Sequence, residues 1–100
     1  MDTKEVTGAQ LASLLSEVEG FDQYLQLMTR QMGSLLGADD AHTDLAPFIR
    51  RVLSPQDITK MNAQRTIRLE KIERLNEEIR DVSVKRNAKW AEFLQLLAKT

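Results

Sequence analysis

Two long stretches of the chain place apolar residues at helical spacing. In the first stretch, residues 11–35, the apolar side chains follow one another in alternating steps of three and four residues: Leu11, Leu14, Val18, Phe21, Leu25, Met28, Met32 and Leu35. A mean step of 3.5 residues is typical of a coiled-coil seam, whereas a half-buried strand requires strict alternation. We therefore predict a first helix over about residues 8–36, capped by Thr7 and ended by Gly37.

A polar segment and a shorter apolar pattern follow this helix. Residues 38–43 read Ala-Asp-Asp-Ala-His-Thr, which favours a connector. Beyond it, apolar side chains recur at one face of a helix: Leu45, Phe48, Ile49 and Val52. Asp44 is a suitable N-cap and Pro47 fits within a first helical turn. The pattern predicts a short middle helix over about residues 44–53.

The second long stretch begins at Ser54 and Pro55, which are typical of an N-cap and a first helical position. No Gly or Pro follows Pro55, so we predict one helix over about residues 55–98. Its expected apolar face comprises Met61, Leu69, Ile72, Leu75, Ile79, Val82, Trp90, Phe93 and Leu97. Arg65 and Arg86 interrupt this face. The steps average close to 3.6, which predicts little supercoiling.

The lengths and charges of these segments favour an antiparallel pairing. The first and middle helices together nearly match the third in length, at 1.5 Å per residue. Residues 1–49 carry a net charge of −6 and residues 50–100 a net charge of +5, so the two halves attract. We predict a single all-α domain over residues 1–100, an antiparallel coiled-coil hairpin, alone or within a multi-helix bundle. Residues 1–6 are expected to be flexible.

Several apolar residues exceed what one seam can bury, and they are our candidate protein-binding residues. Leu15, Leu27 and Leu36 lie off the first seam, and Ile67 and Leu94 lie off the last. Leu96 is also expected off the last seam, although it is not one of the candidates. Trp90, Phe93 and Leu97 concentrate apolar area near the C-terminal end. Aromatic anchors are enriched at interface hot spots, although a hydrophobic plug at the end of the hairpin is an alternative role for Trp90. We expect another helical protein, or self-association, to cover these residues.

Residue types that carry chemistry are scarce. The chain has no cysteine, which excludes disulfides and thiolate-ligated metals. His42 is the only histidine, and we expect a solvated residue in the polar connector. The carboxylates of Glu77, Glu78 and Asp81 stand among basic residues, which is typical of exposed ion pairs on a helix. Phosphate-binding glycine motifs are absent. We expect no enzyme activity, no cofactor and no metal site.

Nucleic acid and membrane are not the expected partners. Basic residues recur along the last helix, but glutamates are interspersed with them and stacking aromatics are lacking. No apolar run reaches the roughly 18 residues of a membrane span. The first residues, Met1 to Glu5, lack the apolar core of a secretory signal, so we expect a cytoplasmic protein.

The segment Asp44-Leu45-Ala46-Pro47-Phe48-Ile49, ahead of a long charged helix, resembles the small helical subunits of lysosome-related-organelle complexes. The size and predicted layout are also similar to export chaperones of flagellar and type III secretion systems. The first resemblance implies an adaptor or structural subunit, and the second implies a chaperone that shields an amphipathic client segment. A nucleic-acid-associated factor that uses the basic last helix is a third hypothesis. No functional residue is carried over from either family.

Overall fold

The computed structural model describes the backbone of residues 3–100 and the side chains of residues 7–100. It contains two helices, α1 (Thr3–Val52) and α2 (Pro55–Ala98), and no strand within the described residues. The predicted all-α helical hairpin is therefore confirmed. The predicted flexibility of residues 1–6 concerns a segment whose side chains lie outside the described part.

The predicted middle helix is wrong, because α1 continues without a break to Val52. The alternating steps of three and four residues do not end at Leu35. They continue through Asp39, His42, Ala46 and Ile49, and each of these side chains is partly buried. Polar residues thus occupy two seam positions, and the heptad register passes through the segment that the sequence marked as a connector.

Neither Gly37 nor Pro47 ends α1. Both lie on the exposed side of the helix, so neither displaces a side chain that packs in the seam. Gly37 keeps a right-handed backbone, as does every glycine in the described part of the chain. The Thr43 hydroxyl donates a hydrogen bond of 3.1 Å to the Asp39 carbonyl oxygen within the predicted connector. Burial on the seam side stabilises a helix that local propensity alone would interrupt.

The turn between the helices is short and its cap is the one that the sequence predicts. The Asp57 N–H donates to the Ser54 Oγ at 3.3 Å, and the Ser54 hydroxyl donates to the Asp57 carboxylate at 2.9 Å. The Ile58 N–H reaches the Ser54 carbonyl at 3.0 Å, which closes the first turn of α2. Pro55 then occupies the first helical position, where its missing N–H has no intrahelical partner to lose.

The seam of α2 also follows steps of three and four residues, and this corrects the predicted face. Leu69 and Leu97, which the prediction placed on the seam, are exposed. Trp90, also predicted there, is partly buried outside the series, whereas Leu96, predicted off the seam, is partly buried within it. Arg65 and Arg86 are partly buried in the series instead. Long side chains can cover apolar surface with their aliphatic stems while their charged ends reach solvent. The buried and partly buried seam residues are Ile58, Met61, Arg65, Arg68, Ile72, Leu75, Ile79, Val82, Arg86, Lys89, Phe93 and Leu96.

The chain divides into two compact units. The first unit comprises Met1–Met28 and Glu78–Thr100, and the second comprises Thr29–Glu77. Within the described residues, the buried apolar side chains are Val18, Met28 and Val82 in the first unit and Leu75 in the second. Each unit is therefore a pair of helical segments that share a narrow seam and bury little apolar area.

Candidate protein-binding surfaces

An arginine fixes the position of Trp90 in the first unit. Arg86 forms an ion pair with Asp22 of α1, with 3.0 Å between Nε and Oδ1. Its guanidinium carbon lies 5.4 Å from the centroid of the Trp90 ring. The Trp90 ring in turn stacks on Phe93, with 5.2 Å between centroids and 16° between planes. The ion pair, the cation–π contact and the stacking together hold the tryptophan in one orientation.

Exposed leucines lie on the same side of the first unit as Trp90. Leu15 precedes Asp22 by seven residues and therefore lies on the same side of α1, two turns away. Leu94 and Leu97 follow Trp90 by about one and two turns of α2. All three leucines are exposed, and Trp90 is partly buried. We call this surface the Trp90 flank, and its residues are Leu15, Trp90, Leu94 and Leu97.

The structure brings five of the eight candidate residues together. The Trp90 flank contains four, and Phe93 lies partly buried beneath Trp90. Leu27 is exposed in the first unit but points outward, next to the buried Met28. Leu36 and Ile67 are exposed residues of the second unit. These three residues lie off the seams, as predicted, but they are not part of the Trp90 flank.

A groove lies between the helices of the first unit, around Gly20. Its volume is about 590 Å³, and Phe21, Tyr24 and Val82 supply its apolar lining. The charged residues that line it are Glu17, Glu78, Asp81 and Lys85. We call this surface the acidic groove, since it combines three carboxylates with one ammonium group.

Two contacts order the residues of the acidic groove. The Tyr24 hydroxyl donates a hydrogen bond to the Glu78 carboxylate, and this bond raises the pKa of Tyr24 above its ordinary value. The Lys89 ammonium lies 3.5 Å from the Glu17 carboxylate and 3.7 Å from Glu92. The groove was not predicted, because its glycine carries no apolar signal and its other residues come from distant parts of the sequence.

In the second unit, a polar cluster crosses the seam at Asp39. The carboxylate of Asp39 is 3.0 Å from Arg65 Nε and 3.4 Å from Arg68 Nη1, and its side chain is only 18% exposed. The hydrogen bond from Arg65 is the main cause that holds the pKa of Asp39 below its ordinary value; burial opposes it, while the charges of Arg65 and Arg68 add to it. The prediction of His42 as a solvated loop residue is wrong, because it is a partly buried helical residue.

A further set of exposed apolar residues was assigned the wrong role. The sequence predicts that Leu45, Phe48 and Val52 face a core, yet all three are exposed, with Phe48 at 62% and Val52 at 79%. The continued heptad steps from Leu35 to Ile49 were the signal that could have placed them outside the seam.

Known proteins supply no assignment for these surfaces. The chain matches no family model, no curated protein and no solved structure. Among the described residues, no group of three or more His, Asp or Glu side chains is arranged to hold a metal ion. Neither α1 nor α2, as far as they are described, has a segment apolar and long enough to cross a membrane.

Proposed function

We propose that this chain is a non-catalytic protein–protein interaction module, a small coiled-coil adaptor or structural subunit of a multi-protein complex. One observation carries the proposal. Of the described side chains, twelve large hydrophobic ones are exposed, whereas only four apolar ones are buried. A small protein that exposes this many large apolar side chains has surface available for a partner.

The Trp90 flank is the surface that best fits a partner. Its tryptophan is already held by Arg86 and Phe93, so little side-chain entropy is lost when a partner covers it. Exposed leucines lie on the same side of the unit, and the adjacent charge of Asp22 is paired with Arg86. An apolar stripe on a helix of another protein suits such a surface, because packing it there extends a two-helix seam toward a helical bundle.

The test compares Trp90→Ala with Val84→Ala in an affinity pull-down from the native host, followed by mass spectrometry. Val84 is an exposed apolar residue of the same helix that lies outside the flank, so it is the matched control. We expect Trp90→Ala to weaken partner binding by about 2 kcal/mol or more, with the helicity of the isolated chain retained. Val84→Ala should bind as the unaltered chain does.

Two results would contradict this assignment. Equal capture by both variants would exclude the Trp90 flank as the binding surface. Trp90→Ala could instead lower the melting temperature strongly and reduce binding only as far as it reduces the folded fraction. That result would mean that Trp90 closes the end of the hairpin. A complex that survives high salt at fixed stoichiometry supports a subunit, and a transient one supports a chaperone.

A further inference from the structure

The acidic groove of the first unit has an apolar floor and an unbalanced rim. Phe21 and Val82 line its interior, and the four charged side chains that line it sum to −2 at neutral pH. Lys89 pairs with Glu17, so the carboxylates of Glu78 and Asp81 carry the remaining excess of negative charge. Its residues come only from the first unit, and no other part of the described chain lines it. An apolar side chain flanked by cations has the complementary chemistry.

Gly20 leaves this groove open. A Cβ atom built at Gly20 would meet no atom within 4 Å, so no close neighbour within the described chain requires a glycine there. Glycine weakens the interior of a helix relative to alanine. The missing side chain does, however, allow a helix from outside to approach α1 closely, as small residues do at helix contacts.

The second unit carries a surface with the complementary chemistry. Ile67 of α2 is 53% exposed. Helical spacing places Lys60, Lys71 and Arg74 on the same side of α2, at seven residues before and at four and seven residues after it. Glu70, three residues after Ile67, lies beside them, so this side keeps an excess of positive charge. All three cations are exposed, and none has an ion-pair partner within 4 Å in the part of the chain that is described. We call Ile67 and these three cations the cationic Ile67 face.

We propose that a second copy of this chain docks its cationic Ile67 face into the acidic groove. Ile67 then packs against Phe21 and Val82, and Lys71 and Arg74 approach the carboxylates of Glu78 and Asp81. The proposal rests on the proposed protein-binding function, but it names the partner and uses a surface other than the Trp90 flank. Each copy has one groove and one face, and in the proposed dimer each face occupies the groove of the other copy.

The first experiment is sedimentation equilibrium of the full chain at concentrations on the order of tens of micromolar, where moderately tight dimers form. We expect a dimer of the 11.4 kDa chain that weakens as salt is raised. Gly20→Leu places a side chain in the groove, where its Cβ meets no atom within 4 Å, and should weaken the dimer by about tenfold or more. Gly33→Leu is the matched control, because its Cβ is equally unobstructed and it lies outside the groove.

A charge exchange provides the second experiment. The double variant Lys71→Glu with Arg74→Glu has two acidic surfaces, and Glu78→Lys with Asp81→Lys has two basic ones, so each alone should be monomeric. An equimolar mixture restores both pairings and should sediment as a heterodimer. Circular dichroism of each variant checks that it remains helical.

A monomeric unaltered chain, equal association of the two glycine variants, or a mixture that stays monomeric would each overturn the proposal. Capture of a different protein that depends on Trp90 would still support the proposed function in that case. Dimerisation without any partner that depends on Trp90 would support the docking of two copies and contradict the proposed role of the Trp90 flank. The two proposals can therefore fail independently.

Discussion

Asp39 shows how a charged residue can occupy a helical seam. Its carboxylate accepts hydrogen bonds from Arg65 and Arg68 of the opposite helix, and its side chain is largely covered. A polar residue at a seam position lowers stability relative to a well-packed apolar one, but it disfavours shifted pairings that would leave it without a partner. We therefore interpret this cluster as a feature that fixes the register of α1 against α2 in the second unit.

Acid should weaken this register contact. Because the pKa of Asp39 lies below its ordinary value of 3.8 in the folded chain, its contribution to stability is present above that value and is lost as the pH falls through the lowered pKa. Asp39→Asn removes the titrating group. We expect the melting temperature of the unaltered chain to fall more than that of Asp39→Asn between about pH 6 and about pH 3. Equal falls in melting temperature for the two proteins would show that the Asp39 contact does not contribute to stability.

Two adjacent residues of α1 provide a sharp test of the narrow core. Met28 is 3% exposed and Leu27 is 56% exposed. Met28→Ala should lower the free energy of unfolding by about 2–5 kcal/mol, because it leaves a cavity in the seam. Leu27→Ala should change it by less than about 0.5 kcal/mol. Urea denaturation at one protein concentration measures both, and comparable losses would contradict the assigned orientation of α1.

At the scale of the element, α1 is a helix of 50 residues whose interior contains both glycine and proline. Gly37 and Pro47 are exposed, so neither displaces a side chain from the seam. Helix breakers act on local stability, and seam packing on both sides of a weak turn can offset a cost of about 1–3 kcal/mol. The continuous helix keeps Asp39 and His42 in heptad register.

Replacement of Gly37 should report directly on this continuity. In a continuous helix, Gly37→Ala should raise the free energy of unfolding by about 1 kcal/mol, since alanine favours a helix interior and its Cβ meets no atom. If Gly37 instead ended a helix in a left-handed conformation, the same change would be destabilising. Chemical denaturation distinguishes a gain from a loss.

Pro47→Ala is an independent test of the same helix. A proline in a helix interior is about 3 kcal/mol less favourable than alanine, so the free energy of unfolding should rise by up to that amount. In the first turn of a separate short helix, proline would be tolerated and the change would be nearly neutral. A rise for Pro47→Ala without a rise for Gly37→Ala would place a break between the two residues.

For the whole molecule, the opposite charges of the two halves appear as contacts between helices. The inter-helix ion pairs of the described residues have their carboxylates on α1, from Asp22, Asp39 and Glu17, and their cations on α2. The more exposed of these pairs, at Asp22 and Glu17, are individually weak and sensitive to salt. In all of the inter-helix pairs the negative charge is on α1 and the positive charge is on α2. This arrangement favours the pairing of α1 with α2 over the pairing of α1 with α1 or of α2 with α2.

Salt should therefore change the effect of removing these pairs. Arg65→Gln combined with Lys89→Gln should lower the melting temperature more at low ionic strength than at high ionic strength, because screening already weakens the pairs in salt. The control combines Arg51→Gln with Arg80→Gln, two exposed cations of the described chain without an ion pair within 4 Å. A salt dependence equal to that of the control would contradict a role for the inter-helix pairs.

Much of the hairpin could be predicted, and the errors have a common cause. The series from Leu11 to Leu35 and the start signal at Ser54 depend on local periodicity and capping, which a sequence displays directly. The middle helix was wrong because a polar segment with a glycine looks like a connector when only apolar residues are counted. Asp39 becomes a seam residue only when its arginine partners on the other helix are known.

The sequence by itself determined the helical class, the start of α2 and the charge difference between the halves, because each follows from spacing, capping chemistry or counting. The tertiary structure alone decided which flanks are apolar. Leu15 and Trp90 share a side because antiparallel pairing brings the start of α1 to the end of α2, and the acidic groove forms where Gly20 faces that same helix. Such juxtapositions depend on the register between helices. Arginine and aspartate side chains that pair between the helices help to set that register. Because these residues are charged, the apolar pattern of either helix does not reveal them.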